Sequence, residues 1–275
     1  MLTLSRICTD ALITPLCFYS IALISSNVNI FAGKIFLCYN FLLVYDISDL
    51  FMKKKGRKMN CKAAVFDLDG TLLDTLEDLY LSVNRALAHF SLPERTKGEV
   101  QAFVGNGVEM LMVQAVPSGR ENPLFLPCLQ YFKEDYALHS LDHTAPYPGI
   151  VSLLSKLNTR GIQCAVVSNK FDAAVKELVN HFFDGLVLCA RGESLGIRRK
   201  PAPDTVLAVL DELHVQKKDA VYIGDSEVDI LTAKNCDMPC ISVLWGFRKK
   251  EFLQKKGAAV FAETPQELLK HLVFF

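Results

Sequence analysis

The chain has 275 residues, 51% of them hydrophobic, and its 30 basic and 30 acidic side chains balance to a formal charge of zero. That length suits one sizeable domain with a smaller companion, and the composition suits a packed globule. The balanced charge excludes a nucleic-acid binder built on bulk positive charge and favours a small-molecule substrate.

Residues 1–58 differ from the rest. No charged residue occurs over 11–33, and a second apolar run covers 35–45 after Lys34. The first run is long enough for a membrane helix, but Pro15, Ser20, Ser25, Ser26, Asn27 and Asn29 dilute it, and no secretory cleavage site follows. The cluster Lys53-Lys54-Lys55-Gly56-Arg57-Lys58 fits a positive-inside flank. It also fits a translated ribosome-binding site, because Lys, Arg and Gly all have purine-only codons. The second reading is preferred and makes Met59 the start; a membrane anchor is the alternative, and membrane association is expected only if 1–58 belongs to the native protein.

Ala63-Ala64-Val65-Phe66 predicts a buried strand that delivers Asp67-Leu68-Asp69-Gly70-Thr71 to a sheet edge. Alternation turns Asp67 and Asp69 to one side and Leu68 to the core. Carboxylates that close resist joint ionisation, so the pair calls for a cation or a shared proton. The plainer reading is two solvated acids, with Asp69 capping the next helix. A helical stripe follows over 76–90, with further helical pattern over 98–115 and 123–139 and no strand between them. Ala145-Pro146-Tyr147-Pro148-Gly149 reads as a stiff linker. Beyond it, strands are expected at 162–167, 186–189, 220–223, 240–244 and 258–261. They alternate with helices at 150–159, 172–181, 203–213, 228–235 and 265–272. This order predicts an α/β fold: a doubly wound parallel sheet, a Rossmann-like core over 59–75 and 146–275, with an all-helical cap domain inserted at 76–145.

Chemistry is expected at the carboxyl ends of the strands. The second expected strand ends in Ser168-Asn169-Lys170. Arg198-Arg199-Lys200-Pro201-Ala202-Pro203 precedes a helix, and its prolines hold Lys200. The fourth ends in Gly224-Asp225-Ser226-Glu227-Val228-Asp229, where acids gather at a helix start. Lys170 reads as either a site contact or a solvated loop residue, and Arg198 and Arg199 as an attraction for an anionic substrate or, preferred, as a surface pair. The nine cysteines include no Cys-x-x-Cys pair, and the six histidines match no metal spacing. Reduced, buried thiols favour a cytoplasmic protein.

From Met59 onward the layout resembles the haloacid dehalogenase-like hydrolases, and within them the phosphoglycolate phosphatase-like members with a helical cap. The resemblance rests on Asp67 to Thr71, Ser168, Lys200, and Gly224-Asp225 with Asp229, in that order on successive strand ends. It implies a phosphatase of a small phosphorylated metabolite, with a phosphoglycolate-like ester as first choice. Asp67 would attack phosphorus to give an aspartyl-phosphate, and Asp69 would protonate the leaving alcohol and then activate water. Mg2+ would be bound by Asp67, the backbone carbonyl of Asp69, and Asp225. Ser168 and Lys200 would hold the phosphoryl oxygens, while Asp229 would support Lys200 or a water of the metal. Thr71 and Asn169 are expected to face the substrate. So are Gly105, Asn106 and Gly107 of the cap, for which a plain turn and helix start is the equal alternative. A sugar phosphomutase or a pyrophosphatase on the same core is a rival enzyme reading, and a catalytically silent binding or membrane-attached relative is the non-enzyme one.

Overall fold

The computed structural model describes residues 61–273; the expectations for 1–58 lie outside that range. At its centre is β1 (Ala63–Phe66), every side chain of which is buried. A short, wholly apolar strand of this kind is one covered on both faces. β1 pairs in parallel with β4 (Gln163–Phe171) on one side and β6 (Ala220–Gly224) on the other. With β5 (Cys189–Glu193), β7 (Cys240–Val243) and β8 (Phe261–Ala262) they form a six-stranded parallel sheet in the order β5-β4-β1-β6-β7-β8. After β5 the chain returns past β1 to begin β6. Strands therefore lead away from the centre in both directions, leaving a crevice at the carboxyl ends of β1, β4 and β6.

Alternation along β1 divides the core into two layers. Ala64 and Phe66 face Ile150 and Leu154 of α5 (Ile150–Thr159), Leu178 of α6 (Asp172–Phe183) and Leu268 of α10 (Pro265–Val273). Ala63 and Val65 face Val206 and Val209 of α7 (Asp204–Glu212) and Ala233 of α8 (Glu227–Asn235). α9 (Lys250–Lys255), which the sequence did not suggest, follows β7.

The helices α1 (Leu76–His89), α2 (Lys97–Phe103), α3 (Val108–Ala115) and α4 (Phe125–His139) have an apolar cluster of their own, with Leu79, Val83, Met112 and Phe132 in it. The chain enters and leaves this layer through a two-residue antiparallel ribbon, β2 (Leu73–Asp74) against β3 (Ala145–Pro146), where the sequence suggested a linker only. Beside the ribbon, Asp78 in the first turn of α1 is 1% exposed and accepts hydrogen bonds from the backbone N–H groups of His143 and Thr144, the Thr144 hydroxyl and the His143 ring. Burial pushes its carboxyl up, but these donors outweigh burial and hold it below the usual range.

The helical run expected over 98–115 is broken. Val104 is extended, and Gly105 and Gly107 take φ of +126° and +83°, which an L side chain rarely adopts. The strand expected at 186–189 begins at Cys189 instead. Leu186 and Val187 pack against the core from a loop, so their apolar character marks burial and not a ladder. The strand expected at 258–261 is Phe261–Ala262. β4 continues to Phe171, four residues past its expected end, through a register irregularity after Val167. Among the described residues no helix is long and apolar enough to cross a membrane.

Candidate active site

β1 hands its direction to Asp67, whose N–H still bonds to the Ile223 carbonyl of β6 at 2.9 Å. Its Oδ1 accepts the Leu68 N–H at 2.7 Å and lies 2.8 Å from Lys200 Nζ. Lys200 is 2% exposed and also reaches Asp229 Oδ1 at 2.9 Å and the Tyr222 hydroxyl at 3.1 Å. Asp229 is saturated: Tyr222 and Lys200 donate to Oδ1, and the Ser226 N–H and hydroxyl donate to Oδ2 in a capping box that starts α8.

Asp225 lies in the loop between β6 and α8. Its Oδ2 accepts the Phe247 N–H at 2.7 Å and its Oδ1 the Thr71 hydroxyl at 3.3 Å. Gly70 permits this approach, since a Cβ there would sit 2.5 Å from Asp225 Oδ2. Gly224 is as tightly placed against Asp229, where a Cβ would fall 2.3 Å from Cγ.

Three buried carboxylates, Asp67, Asp225 and Asp229, each bring an oxygen to within 4.8 Å of the others. Burial and the neighbouring Asp229 raise Asp67 well above the usual carboxylate range despite Lys200. Burial and Asp229 likewise raise Asp225 to about 7. Asp229 goes the other way: burial opposes its charge, but Lys200 and Ser226 prevail and hold it low. Asp67 and Asp225, the two acids whose oxygens are not saturated by donors, therefore resist ionisation until a further cation offsets their charge. Hard oxygen ligands in surplus over their counter-charge fit a magnesium ion, and Asp229 is the poorest ligand of the three.

Asp69 meets a second buried lysine. Lys170 Nζ lies 2.8 Å from Asp69 Oδ1 and 4.7 Å from the centre of the Tyr136 ring of α4, with its side chain 3% exposed. Burial disfavours its charge, yet Asp69 and Tyr136 keep its proton bound more tightly than usual. Each acid of the pair thus has a lysine of its own.

A cavity between the sheet ends and the helical layer is lined by Asp67, Asp69, Ser168, Asn169, Lys170 and Asp225 from below. Leu79, Gly105, Gly107, Val108 and Leu111 close it from above. Asn169 joins the two sides by donating to the Gly105 and Lys200 carbonyls. Thr71 does not line this cavity; it is fully buried, with its hydroxyl spent on Asp225. Asn106 does not line it either, whereas both flanking glycines do. Arg198 pairs with Asp204 at the surface.

Several residues around the site carried little or no sequence signal. Phe247 contributes a backbone N–H to Asp225 and its ring to the helical cluster. Arg248 donates to the Gln101, Ala102 and Val104 carbonyls at the end of α2 and pairs with Glu227. A backbone donor has no signature in sequence, and an arginine on carbonyl oxygens has no fixed spacing. Tyr222 had a weak one, as the single hydroxyl in the otherwise apolar Ala220-Val221-Tyr222-Ile223.

Residues 64–243 match the family model described as haloacid dehalogenase-like hydrolase. The phosphoglycolate phosphatase of Aquifex aeolicus is 30% identical over 223 residues, covering 78% of this chain and all of that protein. That of Rhodospirillum rubrum is 32% identical, over 73% of this chain and 86% of its own. The crystal structure of a candidate phosphoglycolate phosphatase from Lactobacillus delbrueckii subsp. bulgaricus superposes with a TM-score of 0.75 and 38% identity, covering 78% of this chain and 99% of that one. The parallel sheet, the helical insert and the family match over both lead to one conclusion: this chain belongs to the haloacid dehalogenase-like hydrolase family.

Proposed function

We propose that the protein is a magnesium-dependent phosphatase of a small phosphate ester, phosphoglycolate-like in kind, working through an aspartyl-phosphate. The observation that carries this reading is the placement of Asp67. It lies at a cavity floor with Oδ1 held by Lys200 and the Leu68 N–H, which leaves Oδ2 to attack phosphorus. The phosphatases among the relatives support the substrate class.

Asp67 Oδ2 bonds to phosphorus in line as the ester P–O bond breaks, and the leaving oxygen takes a proton from Asp69. Asp69, now a carboxylate, takes a proton from water as that water cleaves the acyl-phosphate and returns Asp67. The Ser168 hydroxyl donates to a phosphoryl oxygen, and Lys200, whose three donors reach Asp67, Asp229 and Tyr222, offsets the charge from behind Asp67. Asp229 and Tyr222 keep Lys200 in place. Asp67, Asp225 and the backbone carbonyl of Asp69 are the groups that would hold Mg2+, which when bound offsets the charge of the acids and the phosphoryl group. Residues 76–145 serve as a cap that excludes water.

A phosphate-release screen over small esters with Mg2+ and with chelator tests this function. Magnesium-dependent release that Asp67→Asn abolishes is expected; release that survives in Asp67→Asn overturns the covalent route.

A further inference from the structure

Lys170 is a buried cation that the proposed chemistry leaves without a task. An ammonium has three N–H donors. One goes to Asp69 Oδ1 and one points at the Tyr136 ring, so a third is free to face the cavity that Lys170 lines. Beside it, the Tyr136 hydroxyl is buried without a hydrogen-bond partner among the described residues. Keeping a lysine here costs desolvation that a pair with Asp69 alone repays poorly.

Position decides what the free donor meets. With the phosphoryl group against Asp67 and Lys200, Asp69 stands at the ester oxygen. Lys170, one hydrogen bond beyond Asp69, would then face the atoms one or two bonds past that oxygen. The wall around it is apolar, from Leu79, Val108 and Leu111. Arg248, another cation of the lining, is committed to three carbonyls and Glu227.

The geometry points to Lys170 as the specificity-determining residue that binds a second anionic group one carbon from the ester oxygen, so that the site selects phosphates of short 2-hydroxy acids. This rests on the phosphatase reading above. When the substrate's carboxylate takes the free Nζ donor it draws the ammonium off Asp69, which picks up a proton from water and turns to the leaving oxygen. A neutral ester leaves the Lys170–Asp69 pair closed.

The test compares 2-phosphoglycolate with ethyl phosphate, which lacks the acid group, on the wild type, Lys170→Gln and Lys170→Arg with Mg2+. A charged hydrogen bond predicts a wild-type kcat/KM ratio of about 10 to 100 in favour of the acid ester. Lys170→Gln should bring that ratio to within a few-fold of one, and Lys170→Arg should retain most of it. A wild-type ratio near one overturns the proposal with no variant needed, and so does an equal loss on both esters in Lys170→Gln. Calorimetric binding of the same two esters to Asp67→Asn, with and without Lys170→Gln, separates the two readings. If the wild type hydrolyses neither ester, the phosphatase reading falls. The Lys170 proposal then stands or falls on whether binding prefers the acid ester and loses that preference with Lys170→Gln.

Discussion

Asp225→Asn is expected to make the metal-free protein more stable, and by more at pH 8 than at pH 5. Burial and the nearby Asp229 raise the Asp225 carboxyl from 3.8 to about 7. At about 1.4 kcal/mol per tenfold in proton affinity, its ionised form is about 4 kcal/mol worse in the fold than in the unfolded chain. Below about pH 4 both states carry the proton and the penalty vanishes; it grows as pH rises towards 7, where the unfolded chain is ionised and the fold is not. Asparagine keeps the shape and still accepts the Phe247 N–H, but its amide turns a donor toward the Thr71 hydroxyl, at a cost of about 1 kcal/mol. The net gain is about 3 kcal/mol at pH 8 and about 1 kcal/mol at pH 5. Urea unfolding in chelator at the two pH values measures both, and repeating it in excess Mg2+ should reverse the order by stabilising the wild type alone. If the variant is no more stable than wild type at pH 8 in chelator, or if its gain is the same at both pH values, the electrostatic account of the carboxylate cluster is wrong.

Three further outcomes are expected. Asp69→Asn should lower phosphate release about 100-fold or more while leaving Mg2+ binding intact, since in the proposed mechanism its carboxylate moves protons and only its backbone would touch the metal; single-turnover kinetics and metal titration read the two separately. Asp78→Ala strips a buried acceptor from four donors of His143 and Thr144, so urea unfolding should show a loss of about 2–4 kcal/mol. Arg248→Ala frees the carbonyl end of α2, and hydrogen exchange over 101–107 should speed up together with a rise in KM; exchange unchanged there would mean Arg248 does not hold the two layers together.

Much of the architecture could be read in the sequence because parallel strands buried on both faces are continuous apolar runs, and Ala63 to Phe66 is such a run. Where burial and hydrogen bonding part company, the reading slipped. Leu186 and Val187 are packed without being in β5, and β4 runs on through polar Ser168, Asn169 and Lys170. The acids stand out because charged residues rarely end apolar strands, and Lys200 because prolines follow it in a stiff loop ahead of a helix. Lys170 reads more readily as a solvated residue, since its burial depends on Asp69 and on Tyr136, 34 residues earlier in a different layer. The break at Gly105 was legible only as one of two readings, the turn and helix start at Gly105-Asn106-Gly107, because 98–115 keeps helical periodicity on both sides of it.

Phe247 belongs to both layers at once: its amide fixes Asp225 and its ring is 9% exposed within the helical cluster. Swinging the helices away would strip that ring of its neighbours, and a fully buried phenylalanine is worth about 1.5–3 kcal/mol. From this contact alone the open form is about one molecule in ten to one in a hundred. Substrate would then enter through a minority population, and the same swing would loosen the amide that holds Asp225. Admission of the ester and the readiness of the acid cluster become a single equilibrium, adjustable by the size of one side chain.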